Sequence, residues 1–432
     1  MRTSVRLPLP DSNLLKSKLI QWAQQFREVV FLDSNNYPQQ YGSYDAVLAV
    51  DALTAIQTDA HNAFEDLKQY QQTTKDWIFG YLSYDLKNDT ENLQSRSFDG
   101  LKFPELYFFQ PKKIFLLKGN ELEIRYLNMC DDELTEDLKA IESIVISTFE
   151  DKPLQHIPVI RQRISREEYI KKVTGMLEQI QRGDIYEANF CMEFYAEDSS
   201  VNPLELYRKL NAISTPPFAA FFKNHQQFIV SASPERYLRK EGEHLISQPI
   251  KGTAKRDTDP VADAKIKEEL LQNEKERSEN IMIVDLVRND LSRTAAKGSV
   301  AVPELCQAYT FRQVHHLIST VTATLAPGFS AIDALRTTFP MGSMTGAPKI
   351  AAMKSIESFE ETKRGVYSGA LGYFTPEGDF DFNVIIRTIL YNQENQYVSF
   401  SVGSAITALS DPEQEYEECL LKAKAMRQVL AD

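Results

Sequence analysis

Lys251 lies in Gln248-Pro249-Ile250-Lys251-Gly252-Thr253, where an apolar run delivers a primary amine into a Gly-Thr turn. Burial disfavours the ammonium form, and a fully buried lysine can lose about 3 units from its reference pKa of about 10.4. A lysine so placed is expected to be roughly half neutral, and to that extent nucleophilic, near neutral pH. A surface lysine following a strand is the plainer reading of the segment alone. Two acid pairs stand further along: Glu276 with Glu279, and Glu415 with Glu418. In a helix each pair projects from one face, where like charges repel. A solvated acidic face explains either pair by itself. Converging, the four carboxylates would suit a hard, water-retaining cation such as Mg²⁺. Arg387 sits in an Ile-rich run read as a strand, where a bare guanidinium is costly unless paired. Pro340 to Lys349 forms a Gly- and hydroxyl-rich turn before a helix, suited to a carboxylate or phosphate but lacking the order of a Walker loop.

The elements that must carry these residues are legible in part. Ser165-Arg166-Glu167-Glu168 reads as a capping box, Tyr169, Val173, Met176, Leu177 and Ile180 as an apolar stripe, and Gly183 as the stop. From Tyr186 to Phe194 the period becomes two, predicting a strand with one buried face. Further strands are expected at 218–222, 227–231, 244–250, 366–374, 381–391 and 396–402, with a long helical region from about 261 to 289. Asp411 and Pro412 signal the start of a terminal helix whose stripe is Tyr416, Cys419, Leu420, Ala423 and Met426. Clustered strands, rather than strict alternation with helices, predict an α+β fold of large sheets flanked by helices. A composition shift near 150–165, with a connector at 151–158, suggests segments 1–155 and 160–432.

The 432 residues, 43% hydrophobic and 25% charged, describe an ordinary globular composition. A formal charge of −13 argues against a nucleic-acid partner. No apolar run reaches the ~18–20 residues of a membrane helix, and the N-terminus lacks a signal-peptide core, so a cytoplasmic location is expected. The four cysteines are dispersed, with no zinc spacing and no Gly-x-Cys-x-Gly elbow of a glutaminase. Any metal chemistry therefore falls to carboxylates.

The ordered set of segments Gly183–Asn189, Ser233–Arg236, Pro249–Thr253, Glu279–Asp290, His315–Ser319, Gly342–Lys349, Arg364–Gly369, Ile386–Thr388 and Ser410–Glu418 resembles the chorismate-utilising enzyme family. The likeness covers about 165–430. It is looser in 1–155, through Phe31-Leu32-Asp33-Ser34, which resembles an amino-acid pocket of anthranilate-forming members, and Gly80 to Asp85. The resemblance implies a sandwich of large mixed or antiparallel sheets with helices outside. The lysine of Pro-Ile-Lys-Gly-Thr points to the aminating branch, which converts chorismate to 4-amino-4-deoxychorismate for para-aminobenzoate and folate synthesis. An anthranilate-forming enzyme and a non-catalytic metabolite-binding relative are the alternatives.

By the same resemblance, Lys251 bonds to the ring, Glu235 protonates the leaving hydroxyl, and His316 and Ser343 line the reacting centre. Arg387, Tyr367, Lys422, Thr345, Gly403 and Ile406 match substrate-binding positions, and Glu276, Glu279, Glu415 and Glu418 would hold Mg²⁺. Ammonia would come from a separate glutamine amidotransferase subunit. Two positions depart from the pattern. Aminating members commonly carry glutamine where this chain has Glu187, and Ser401 to Ile406 is poorer in glycine than usual.

Overall fold

The computed structural model describes residues 1–9, 11–38, 40–146 and 158–431, so the expected connector at 151–157 lies outside the described residues. Its named strands pair antiparallel throughout one connected network. From one end, Glu187–Ala196 pairs with Tyr397–Thr407, followed by Thr388–Asn392, Gln227–Ser233, Phe218–Asn224, Glu28–Asp33 and Ala46–Thr58. The order continues through Leu106–Lys118, Ile78–Leu82, Ala370–Phe374, Phe380–Val384, Arg236–Glu241, His244–Gln248 and Val314–Thr324. Ile250–Lys255 and Ala301–Thr310 complete this end on Val314–Thr324.

Two long strands fold this network into a sandwich. Ala46–Thr58 and Leu106–Lys118 pair along their length, with a register shift between Ala52 and Thr54 beside Asp51, whose φ is 62°. The bulge bends the pair, so that its two ends belong to two facing sheets. Neighbouring residues then enter different cores. Val29, Phe31 and Phe221 pack with the helices Arg166–Arg182, Pro203–Ser214 and Pro412–Ala431, whereas Val30, Ala220 and Phe222 pack toward Ile78–Leu82 and Ala370–Phe374. Glu28–Asp33 and Ile78–Leu82 are hydrogen-bonded to strands beyond residue 160. The segments 1–155 and 160–432 therefore do not correspond to separate sheets.

Local signals account for several elements. The capping box at Ser165 and Glu168 is formed, and Gly183 ends its helix at φ 82°. Asp411 Oδ1 accepts from the backbone of Glu413 and Gln414 at the start of Pro412–Ala431. Other expectations require correction. The helical region 261–289 is two helices, Pro260–Gln272 and Glu274–Ser292, divided at Asn273, whose side chain caps the second. The expected strand 381–391 breaks at 385–387, so Arg387 stands outside the strands with φ 53°. Tyr367 is likewise in a turn before Ala370–Phe374, where Ser368 has φ 64°. Finally, the strand Glu187–Ala196 is buried on both faces, because its polar face forms the wall of the site rather than meeting water.

Candidate active site

The amine of Lys251 is aimed by a bulge. Ile250 pairs with Ile318 and Thr253 with His316, a register shift that leaves Lys251 and Gly252 between them, with Gly252 at φ 87°. A glycine is needed there because a β-carbon would also approach Glu276 Oε2 at 3.0 Å. Lys251 Nζ donates to Glu187 Oε1 at 2.8 Å, and its side chain keeps only 10% of its exposure. Burial opposes its ammonium form, but the charges of Glu187, Glu279 and Glu235 outweigh burial and hold its pKa above the ordinary value. The expectation that desolvation alone makes this amine neutral is thus corrected: in the unliganded site it is an ion-pair partner.

Glu187 is placed by the turn that follows Pro340. Gly346 and Ala347 pair with Ala188 and Glu187, and Asn189 N–H donates to Thr345 O at 2.8 Å. A β-carbon on Gly346 would lie 2.1 Å from Glu187 O, so only glycine permits this approach. Arg364 locks the turn to the strand: its guanidinium donates to Met344 O (2.7 Å), Asn189 O (2.6 Å) and both oxygens of Glu360. Glu360 in turn accepts from Cys191 N–H at 2.8 Å. This buried clamp was not singled out from the sequence, although Glu360 and Arg364 stand four apart.

Glu235 is buried, and burial pushes its carboxyl up to about 7 against the opposing influence of the Ser343 hydroxyl and the Lys251 charge. The Ser343 Oγ is buried without a hydrogen-bond partner of normal geometry. His316 Nδ1 lies 2.9 Å from Thr253 Oγ1 and 3.4 Å from Gly252 O. Burial and then the Arg387 charge depress its pKa to about 3, so the ring is neutral and suited to positioning.

The Arg387 guanidinium makes no hydrogen bond or ion pair with the described residues, though burial lowers its pKa and Tyr367 and Glu418 act on it electrostatically. A half-buried guanidinium without a partner is costly unless an anion joins it. Lys422 Nζ donates to Gly403 O (2.9 Å) and pairs with Glu418 (2.6 Å). Gly403 has no room for a side chain, since a β-carbon would meet Cys191 Sγ at 2.6 Å. Thr345 spends its hydroxyl on Met341 O and Gly342 O within the turn. The Ile406 side chain is wholly buried in the apolar core with Phe190 and Tyr416, leaving its backbone for a ligand.

The four acids converge, and Lys275, which sequence reading missed, stands among them. Its Nζ is 3.3 Å from Glu415 and 3.8 Å from Glu279, a position legible in the four-residue spacing of Lys275 and Glu279. Burial, countered by Lys251 and reinforced by Glu187 and Glu276, pushes Glu279 up to about 7. Burial and then the Glu418 charge raise Glu276, whereas at Glu418 burial is overcome by the charge and hydrogen bond of Lys422 together with the charges of Lys275 and Lys251, which keep the pKa below its usual value. Among the described residues no group of three or more ligands stands already arranged around a metal position. The donor set nonetheless fits a hard cation: Glu276 and Glu279 are raised by burial and by neighbouring carboxylates, and the buried Glu279 Oε1 has no hydrogen-bond partner among the described residues.

Further cavities lie elsewhere. One of about 630 Å³, bounded by Leu271, Arg277, Leu305 and Cys306, holds none of the residues above. Another, of about 60 Å³, is lined by Asp33, Ser34, Tyr44, Phe218, Tyr373 and Asp381, and the Ser34 Oγ beside it is buried without a partner.

The chain is 37% identical over 368 residues to an aminodeoxychorismate synthase of Streptomyces griseus, covering 82% of this chain and 50% of that protein. It spans 30% of the probable rice enzyme of that name and 41% of the Arabidopsis thaliana one. Aminodeoxychorismate synthase component 1 of Bacillus subtilis is 32% identical over 391 residues, 87% of this chain and 80% of that protein. Anthranilate synthase component 1 of Thermus thermophilus is 35% identical over 359 residues, 81% and 76% of the two chains. The solved anthranilate synthase component I of Streptococcus pneumoniae superposes with a TM-score of 0.79 at 26% identity, over 91% of this chain and 95% of that one. The profile of chorismate binding enzymes matches residues 27–428, and the chain belongs to that family.

Proposed function

We propose that the protein aminates chorismate to 4-amino-4-deoxychorismate, with ammonia delivered by a separate glutamine amidotransferase subunit. The observation that carries this reading is Lys251: a nearly buried amine, aimed by a bulge, beside Glu235, His316 and the acid cluster. Relatives named for this activity support the choice of product. Four free cysteines fit a reducing compartment such as the cytoplasm.

Chorismate carries two carboxylates and a ring hydroxyl that leaves poorly. Arg387 suits a two-pronged grip on one carboxylate, with Tyr367 and Lys422 near it. Glu276, Glu279, Glu415 and Glu418 would hold Mg²⁺, which when bound supplies Lewis-acid polarisation of the substrate's other carboxylate. The neutral amine of Lys251 adds to the ring while the ring–oxygen bond breaks, and Glu235 donates the proton that lets oxygen leave as water. Ammonia then attacks where oxygen had been, the bond to Lys251 breaks, and the product nitrogen returns a proton to Glu235.

Identity with the Thermus anthranilate synthase component favours a second reading, amination with loss of pyruvate. Incubation with chorismate, Mg²⁺ and an ammonium salt separates the two. We expect 4-amino-4-deoxychorismate without pyruvate. Anthranilate fluorescence matched by pyruvate release would establish the second reading instead, and consumption of a single equivalent would mark a binding protein.

A further inference from the structure

Three buried carboxylates outside the acid cluster are saturated with donors, although Asp290 has only Lys349 and an unpartnered Oδ1. Glu360 takes Arg364 on both oxygens and Cys191 N–H besides. Glu193 takes Arg163 and Tyr397, and Glu105 takes Lys363 and Ser83. Glu187 differs. It is fully buried, its Oε1 has the Lys251 amine, and its Oε2 has no hydrogen-bond partner among the described residues. Its one donor is the group that must become a neutral nucleophile. While that amine is neutral, Glu187 would be a buried carboxylate without its counter-charge, which is costly unless it takes the proton itself.

We propose that Glu187 is the proton acceptor that converts Lys251 from an ion-pair partner into a nucleophile, and the store from which the proton returns. This rests on the reading of Lys251 as the residue that bonds to the ring. The proton crosses the 2.8 Å contact, leaving a neutral amine and a neutral carboxyl. The amine's electron pair forms the bond to the ring, the ring–oxygen bond breaks, and Glu235 supplies the proton of the departing water. Ammonia next displaces the amine, which leaves with its electron pair and takes back the proton from Glu187. No proton is gained or lost over the cycle. Backbone pairing of Glu187 with Thr407 and Ala347 keeps the carboxylate beside the amine throughout. An amide at this position accepts a hydrogen bond but no proton, so the departure at residue 187 changes the chemistry available there.

The test is adduct formation on the whole chain with chorismate and Mg²⁺ but no ammonia, followed by intact-protein mass spectrometry. The unaltered protein gains the mass of chorismate less one water. Glu187→Gln should form this adduct about 100-fold more slowly at pH 7. Because Glu235, Glu276, Glu279 and Glu418 still act on the amine, its rate should then climb as solvent base replaces the missing acceptor. Chorismate affinity by calorimetry should be unchanged, and Glu187→Asp should recover part of the rate. Adduct formation by Glu187→Gln as fast as the unaltered protein, or slowed equally at every pH, would overturn the role of Glu187. Absence of an adduct on the unaltered protein would instead refute the reading of Lys251, and the inference with it.

Discussion

At the scale of single residues, the site is governed by competition between burial and charge. Lys251 shows charge prevailing, Glu235 and His316 show burial prevailing, and these outcomes assign the proton positions before substrate arrives. Lys251→Ala should abolish any covalent chorismate adduct in intact-protein mass spectra; an adduct on that variant would show the nucleophile to be another residue. Glu235 has a folded-state pKa above its unfolded value, so its contribution to stability is complete below about pH 4.5 and is lost as pH rises through about 7. On the order of 3 kcal/mol is at stake over that interval. Glu235→Gln should therefore flatten the fall in urea-unfolding free energy between pH 5 and 7, and an unchanged slope would show this carboxyl to be solvated. Glu279→Gln should weaken Mg²⁺ dependence of turnover far more than Glu413→Gln, whose residue pairs with Arg166 at the surface. Equal effects in a magnesium titration would dissolve the metal assignment.

At the scale of elements, the decisive features are interruptions. The bulge at Lys251–Gly252, the cap at Asn273 and the break at 385–387 each turn a functional side chain out of a regular register. Gly252 and the Asn273 cap carry local signals, and the helix after Ser165 was legible because its cap, stripe and stop agree. The break before Thr388 was not, since Ile385-Ile386 has the composition of a continuing strand. Arg364 and Glu360 join the end of the Lys349–Phe359 helix to the turn and the Glu187–Ala196 strand. Arg364→Met removes the charge that compensates Glu360 and should cost about 3–5 kcal/mol in chemical denaturation. A loss under about 1 kcal/mol would mean that the clamp is dispensable.

At the scale of the whole molecule, strands from the first third are structural members of the sheets that carry the site. Glu28–Asp33 lies between Ala46–Thr58 and Phe218–Asn224, and Ile78–Leu82 lies between Leu106–Lys118 and Ala370–Phe374. A fragment starting at residue 158 would expose both sheet edges and the apolar faces beneath them. It should lose near-ultraviolet circular dichroism and aggregate, and restoring residues 1–146 as a separate chain should recover solubility. A fragment that remains monomeric with native near-ultraviolet signal would show that the segments fold independently.

The sequence by itself determined the ordered motifs, the residue types of the site and the α+β class, because these depend on local spacing and composition. It also supplied Gly252, where a side chain would be strained, and Gly346, where a β-carbon would strike the Glu187 backbone. Only the tertiary structure decided that Glu187 meets Lys251, that Lys275 reaches Glu415 as well as Glu279, that the Arg387 guanidinium has no partner among the described residues and that Ile406 turns into the core. Each of these depends on which strand lies beside which, and on the balance of desolvation and charge in the space between them. That balance is set by segments far apart in the chain, so no local pattern records it.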